Sequence, residues 1–412
     1  MTPAEGEILA FLTLNRLRIE GRRKAVTLLT AGKSAREILD GMAAEDLLRQ
    51  LPLQDSVPPF EPAREAALCA EKGIGFLIFS DPEYPARLKE IADPPLLLYK
   101  KGALLENDRN AIAIVGTRHP SFYGRTQAKK FAQELASRGL TIVSGLARGI
   151  DQVAHDAALQ VSYGRTLAVM GCGLDVIYPK EHEGLARRIA ERGAVLSEYP
   201  LGTPPLPENF PRRNRILSGL SHATFVVEAH ARSGSLITAH QAVEQGREVF
   251  ALPGPVDQLT SRGTHQLIKE GACLVESSED ILLVLADRLK LENKFEPALV
   301  TPDGEETENN GQRTTGHDLR KTDNDQTADG EGGQTSFSSL PTRPGEVPGL
   351  APSIPEEERS VIEELLKDEG PLAQDEILEF TGLEPSKLPV LLLQLELAKK
   401  IKRTQDGRYS LQ

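Results

Sequence analysis

The sequence predicts an α/β protein built on an open, doubly wound, mostly parallel sheet, with a helical domain before it and a winged-helix domain after it. Three observations lead there. Between Gly75 and Val275, short apolar runs alternate with amphipathic stretches of helical length, the pattern of parallel strands covered by helices. The 412 residues exceed one ordinary domain, and 39% hydrophobic residues with no Trp suit a core of Leu, Ile, Val and Ala. Glycines recur directly after the apolar runs, where such sheets turn from strand to helix and hold their ligands.

Residues 1–70 read as the helical domain. Ile8, Leu9, Phe11, Leu12, Leu14 and Leu17 follow helical spacing, as do Ala25, Leu28 and Leu29, and Gly21 between the two sets is expected to turn one helix into the next. Hairpins that grip nucleic-acid backbone between two helices use two glycines, and Ile19-Glu20-Gly21 supplies one. The segment therefore reads either as such a grip or as a packing bundle.

Residues 71–295 form the expected core. Its strands are Gly75–Phe79, Leu96–Tyr99, Ala111–Val115, Thr141–Ser144, Thr166–Met170, Ala194–Ser197, Thr224–Glu228, Glu248–Leu252 and Cys273–Val275. Helices with one apolar face fit at Phe122–Ser137, Ile150–Leu159, His182–Arg192, Ser235–Gln245 and Gly263–Lys269.

Residues 296–355 read as a disordered acidic linker, because Thr301 to Ser353 is too polar to bury the surface that would offset chain entropy. Thr301 to Pro355 holds ten Asp/Glu against four Lys/Arg, a net of −6 within the chain's −12. Between Asn110 and Val275 the balance reverses, with 18 Lys/Arg against 14 Asp/Glu and seven of the eight histidines. The acidic total thus leaves a polyanionic partner open for the central block.

Residues 356–412 follow winged-helix order. Apolar positions mark three helices, at Val361–Leu366, Ile377–Phe380 and Leu388–Leu397, and Lys400–Lys402 with Arg408–Ser410 suggest a strand pair around Asp406-Gly407. The third helix is mainly leucine with basic residues at its ends, so it suits a protein partner as well as DNA. The longest apolar runs fall short of the ~18 residues of a membrane span, and a cytoplasmic protein is expected. Cys69, Cys172 and Cys273 stand far apart and read as buried small hydrophobes, not as a disulfide or zinc framework.

Five segments carry the candidate chemistry. Ala113-Ile114-Val115-Gly116-Thr117-Arg118 runs from strand into turn: Gly116 lets the chain approach a phosphate, Thr117 and Ser121 offer hydroxyls, and Arg118 suits a bidentate contact. It lacks dinucleotide spacing, so no nicotinamide cofactor is expected. Ser144-Gly145-Leu146-Ala147-Arg148-Gly149-Ile150-Asp151 ends the next strand; with His155 it holds the residue types of a hydrolytic triad, yet Asp151 and His155 on one helix face read more simply as an ion pair or cap. After the third strand come Gly171 and Gly173, then Tyr178, suited to base stacking, and Lys180, suited to a phosphate; the plainer reading is a loop fixed by Tyr178-Pro179. Phe210-Pro211-Arg212-Arg213-Asn214-Arg215 concentrates arginine for phosphate or base contact or for a solvated face, with Arg215 alternatively paired to Glu228. Ser233 and Gly234 open a helix whose free amides suit an anion.

In order, VGTR, SGLARGID, GCGLDVIYP, FPRRNRI, SGSLITA and GREVFALPGP resemble the DNA processing protein A (DprA/Smf) family over roughly Gly75 to Val275. The resemblance implies an extended Rossmann-like fold, a homodimer, sequence-independent binding of single-stranded DNA, and loading of the RecA recombinase in natural transformation or related recombination. It assigns DNA contact to Arg118 and Lys180, with Ser144, Gly145, Gly173, Arg212, Arg213 and Arg215 contributing. Gly116, Thr117, Ser121, Tyr178, Ser233 and Gly234 complete the DNA-binding set read from the residues themselves. Departures are His265, where Gly-Thr-Asn is more usual, the single hairpin glycine, and the long acidic linker.

No catalytic residue, metal or cofactor is expected. The competing enzyme is a nucleotide phosphoribohydrolase of the LOG type, whose PGGxGTxxE pattern, laid on Gly234-Ser235, puts Thr238 where its glutamate belongs. The other competitor is a protein-interaction scaffold in which the basic turns only stabilise the fold.

Overall fold

The computed structural model describes residues 3–42, 61–289, 356–369, 372, 374–381, 383, 387–404 and 408–412. The expected linker lies outside the described residues. Two compact units emerge, Met1–Asn293 with Asp375–Glu384, and Lys294–Gln374 with Pro385–Gln412.

The first unit opens with α1 (Pro3–Leu14), α2 (Ile19–Thr30), α3 (Ala35–Asp40) and α4 (Pro62–Glu71). Ser34 caps α3: its hydroxyl accepts the Glu37 amide while the Glu37 carboxylate accepts the Ser34 amide. Gly21 does not form the expected turn; it lies buried inside α2, and the break falls before Ile19. These helices belong to the same compact unit as the sheet: the Asn15 amide donates to the Glu198 carbonyl at 2.9 Å, and Arg22 pairs with the Glu198 carboxylate at 2.9 Å.

The sheet has nine strands: β1 (Gly75–Ile78), β2 (Leu97–Gly102), β3 (Ala111–Val115), β4 (Thr141–Ser144), β5 (Thr166–Met170), β6 (Ala194–Ser197), β7 (Ala223–Val226), β8 (Glu248–Ala251) and β9 (Cys273–Leu274). Their order is β1-β2-β6-β5-β4-β3-β7-β8-β9. From β6 to β9 all pairs are parallel, while β1 with β2 and β2 with β6 run antiparallel. Strand order reverses between β3 and β7, and the carboxyl ends there form the crevice where open α/β sheets bind ligands.

The connecting helices are α5 (Ala86–Lys89), α6 (Phe122–Ser137), α7 (Ile150–Gln160), α8 (Glu183–Arg192), α9 (Asn209–Leu220), α10 (Gly234–Glu244), α11 (Arg262–Lys269) and α12 (Ser278–Leu285). Alternation along each strand sends Ile112, Ile114, Ile142 and Phe225 into one core, against Phe131 and Leu135 of α6 and Ile150 and Ala154 of α7. Phe131 and Phe225 meet with ring centres 4.8 Å apart. Val143, Leu167, Val169 and Val226 enter the opposite core with Ile216, Leu217 and Leu220 of α9, and α9 packs across β3, β4 and β5. Cys69 and Cys172 are buried as expected, but Cys273 is exposed, because β9 is the sheet's edge strand.

In chain order the C-terminal elements are α13 (Glu356–Glu369), α14 (Gln374–Thr381), α15 (Leu388–Leu397), β10 (Ile401–Arg403) and β11 (Tyr409–Leu411). β10 and β11 pair antiparallel, Leu372 bridges to Tyr409, and Ile362, Leu366, Leu391, Leu395 and Ile401 are buried, giving the expected winged-helix arrangement. Among the described residues no helix is long and apolar enough to cross a membrane, and no group of His, Cys, Asp and Glu could hold a metal ion.

Candidate nucleic-acid interface

The turn after β3 sits at the switch point, but its anion-binding capacity is already used. Thr117 donates its amide to the Glu228 carbonyl at 2.8 Å, and its buried hydroxyl accepts the His119 amide at 3.2 Å. Ser121 caps α6, accepting from the Gly124 amide at 3.0 Å, and gives its own hydroxyl and amide to the Glu228 carboxylate at 2.6 and 2.9 Å. Thr260 donates to the same carboxylate at 3.1 Å. An anion does lie at this helix start, as helix polarity favours, and it is the protein's own. The sequence expectation of a hydroxyl donor for a phosphate at Ser121 is corrected accordingly, and the Thr117 hydroxyl is buried in the turn. Gly116 serves packing, since a Cβ there would stand 2.6 Å from Ile150 and 2.9 Å from the Glu228 carbonyl.

After β4 the chain is equally inward-facing. The Ser144 hydroxyl is fully buried and donates to the Ile114 carbonyl at 2.7 Å, so it does not reach a ligand. The Gly145 and Ala147 amides donate to Asp151 at 3.0 and 3.4 Å. Leu146 takes a left-handed backbone (φ 58°) and its carbonyl receives the His182 ring at 2.8 Å. Gly149 is also left-handed (φ 77°), and a Cβ there would collide with the Thr117 and Arg118 carbonyls. Of the two readings of Asp151 and His155, the ion pair does not form, while Asp151 does accept neighbouring backbone amides. His155 binds the Thr166 hydroxyl at 2.7 Å, and burial, reinforced by His182 and Arg213, lowers its pKa to about 3, so the ring is neutral. With Ser144 turned away, no hydrolytic triad assembles.

After β5, Gly171 lets Phe210 pack over the backbone, and Gly173 lies close to the Pro200 carbonyl. The Gly173 amide donates to the Thr203 carbonyl at 3.0 Å. Tyr178 is half-buried, its bond to Pro179 is cis, and its ring centre lies 5.8 Å from that of Phe210. Lys180 is exposed. Next to it Glu181 pairs with Arg148 at 2.6 Å, and that hydrogen bond holds the carboxyl below its ordinary range.

The arginine run lies on α9 and its members point three ways, because successive residues on a helix turn by about 100°. Arg212 is exposed. Arg213 is buried: its Nη1 donates to the Gly145 carbonyl at 2.7 Å and also to the Val169 carbonyl, tying together the ends of β4 and β5. Burial lowers its pKa, against the opposing charge of Asp151. Arg215 pairs with Glu198 at 2.7 Å and Asp93 at 3.2 Å, and not with Glu228. Burial would raise the Glu198 carboxyl, but Arg215 and Arg22 outweigh it and hold it below the ordinary range. Arg213 and Arg215 are therefore internal, which corrects their assignment to direct DNA contact.

Ser233 caps α10, accepting the Ser235 amide at 3.3 Å, and Gly234 is exposed with open space where a Cβ would stand. Thr238 in the same helix is buried. His265, a departure from the family pattern, donates to the Gly254 carbonyl at 3.0 Å and so ties α11 to the loop after β8.

Over the carboxyl edge the half-buried Phe210 gathers rings and cations around it. The Arg118 guanidinium lies 5.9 Å from the Phe210 ring centre, the buried Arg213 guanidinium also lies 5.9 Å from it, and Tyr178 stands beside it. Sequence reasoning passes over Phe210 as a site residue. A signal is present, an aromatic heading the arginine run, but apolar residues are assigned to the core by default. The part-exposed Arg118 guanidinium supplies charge beside the half-buried Phe210 ring, a stacking surface, while the buried Arg213 packs near the same ring from within.

Comparison with known proteins agrees with this layout. Residues 75–286 match the family model described as DNA recombination-mediator protein A, and residues 346–407 match the DprA winged helix domain. Protein Smf of Escherichia coli is 52% identical over 221 residues, 53% of this chain and 59% of that one. Protein Smf of Synechocystis is 38% identical over 82% of this chain and 80% of its own. The X-ray structure of DNA processing protein A from Streptococcus pneumoniae aligns with a TM-score of 0.57 at 38% identity, covering 69% of this chain and 98% of that one. Matches reaching from the sheet into the C-terminal module establish that this chain belongs to the DNA recombination-mediator protein A family.

Proposed function

We propose that this protein binds single-stranded DNA, without sequence preference, across the carboxyl edge of its sheet, and delivers it to the RecA recombinase as a homodimer during DNA uptake and recombination. The observation that carries the binding step is the Phe210 ring set between Arg118, Arg213 and Tyr178. A ring can stack on a base only where the base is not already stacked and paired, which selects single strands, and every base offers a π-face, which removes sequence preference. Arg118 and the exposed Lys180 and Arg212 supply the phosphate contacts. RecA delivery and dimerisation rest on family membership.

The protein acts by binding and not by turnover. Where a LOG-type hydrolase carries its glutamate, this chain has the buried Thr238. The Glu228 carboxylate at the switch point is buried and accepts from Ser121 and Thr260. Fluorescence anisotropy with labelled oligo-dT, duplex DNA and a mixed-sequence strand tests the reading. Tight binding to both single strands and weak binding to duplex is expected; equal affinity for duplex, or base release from nucleotides that disappears in Arg118→Ala, would overturn it.

A further inference from the structure

The loop after β5 has a second side. A cavity of about 380 Å3 is lined by Leu174, Asp175 and Ile177 of this loop, by Lys72 at the end of α4, by Lys101 on β2, and by Arg187 on α8. Its volume falls within the ~300–1,000 Å3 of small-ligand clefts. None of these residues belongs to the edge cluster of Arg118, Phe210 and Tyr178.

The lining has two characters. Ile74, Leu174, Ile177 and Val195 make an apolar wall. The charged groups around it are unequally paired. Asp175 accepts the Gly202 amide at 2.8 Å, and Glu183 pairs with Arg187 at 3.6 Å. Lys72 and Lys101 are exposed, and among the described residues neither has an ion-pair partner. The lining brings three cationic side chains, Lys72, Lys101 and Arg187, to face two carboxylates, Asp175 and Glu183, a net of +1 beside an apolar wall that an anion would offset. An apolar wall with cations at its rim fits a planar, weakly polar body that carries a phosphate.

From this we infer that the cavity binds a phosphorylated ligand of nucleotide size, either a free nucleoside monophosphate or the 5′-phosphorylated end of a strand. Lys72 and Lys101 hold the phosphate and the wall of Ile74, Leu174, Ile177 and Val195 receives the base. The site is separate from the edge cluster and stands whether or not that cluster binds DNA.

The test is isothermal titration of the full chain with thymidine 5′-monophosphate and with thymidine, for wild type, Lys72→Ala, Lys101→Ala, the double variant and Arg118→Ala, each with its melting temperature checked. The nucleotide should bind at least about tenfold more tightly than the nucleoside. That preference should vanish in the double lysine variant and persist in Arg118→Ala. A second arm compares oligo-dT with and without a 5′-phosphate: a preference for the phosphorylated strand that needs the lysines identifies the strand end as the source, and its absence alongside nucleotide binding identifies the free nucleotide. The inference is overturned if neither probe shows a phosphate preference, or if Arg118→Ala abolishes nucleotide binding while the folded lysine variant retains it. Only the second outcome would bear on the edge cluster, so the two readings fail separately.

Discussion

Glu228, at the carboxyl end of β7, receives both the hydroxyl and the amide of Ser121, at 2.6 and 2.9 Å, across 107 residues of chain. This pair closes the switch-point crevice from within, because the start of α6 is already met by a buried side chain; the proposed DNA site therefore lies outside it, on Arg118 and Phe210.

Removing that carboxylate should cost stability. In Glu228→Ala the Ser121 amide and hydroxyl and the Thr260 hydroxyl lose their shared acceptor. These donors are part-buried, and a fully buried unsatisfied donor costs roughly 1–3 kcal/mol, so the stability read from the urea midpoint should fall by up to that scale. A midpoint equal to wild type would show that water replaces the carboxylate without penalty.

Arg118 and Phe210 should contribute to strand binding in distinguishable ways. Arg118→Ala should weaken oligo-dT binding and flatten the slope of log K against log salt by about 0.7, the share of one phosphate that is no longer neutralised. Phe210→Ala should weaken binding by about 1–3 kcal/mol while leaving the slope unchanged, because stacking releases no counterion. Anisotropy titrations at several salt concentrations separate the two; matching slope changes would mean that Phe210 acts only by placing Arg118.

Neighbouring arginines on α9 should behave oppositely. Arg212 is exposed, and Arg212→Ala should lower affinity at unchanged stability. Arg213 is buried against the Gly145 and Val169 carbonyls and compensates Asp151, so Arg213→Ala should destabilise by about 3–5 kcal/mol. Thermal unfolding of the two variants decides it, and a stable Arg213→Ala that no longer binds DNA would return that residue to the interface.

Acid should destabilise the fold through His155. Its folded pKa of about 3 lies below the ordinary 6.5, so between those values the unfolded chain holds a proton that the folded one does not. Stability is therefore complete above the unfolded value and falls as pH drops toward 3, by about 1.4 kcal/mol per unit for this one ring. His155→Gln should flatten the pH dependence of unfolding between pH 6.5 and 4; an identical profile would place the acid sensitivity elsewhere.

Much of the architecture is legible in the residues, because it depends on short-range periodicity. Ala111–Val115 is apolar at every position and is buried at every position, as a central parallel strand requires. Phe122–Ser137, with Ser121 ahead of it, is bounded correctly by its apolar face and cap. Helix α9 is only faintly visible, since Asn209–Leu220 carries Pro211 and Gly219 and owes its form to packing across β3, β4 and β5.

Residue order and type were enough for the sheet, the placing of glycine turns after its strands, the winged-helix order and the family. Which motif residues face outward was settled only by folding. Ser144, Arg213 and Arg215 have the chemistry of DNA ligands, yet each finds an internal partner distant in sequence: the Ile114 carbonyl, the Gly145 and Val169 carbonyls, and Glu198. Residue type fixes what a side chain can bond, but the direction it points follows from how its helix or strand is rotated against neighbours many residues away. That rotation turned Phe210 toward Arg118 and Arg213 toward the strands, and no local pattern in Phe210-Pro211-Arg212-Arg213 records the difference.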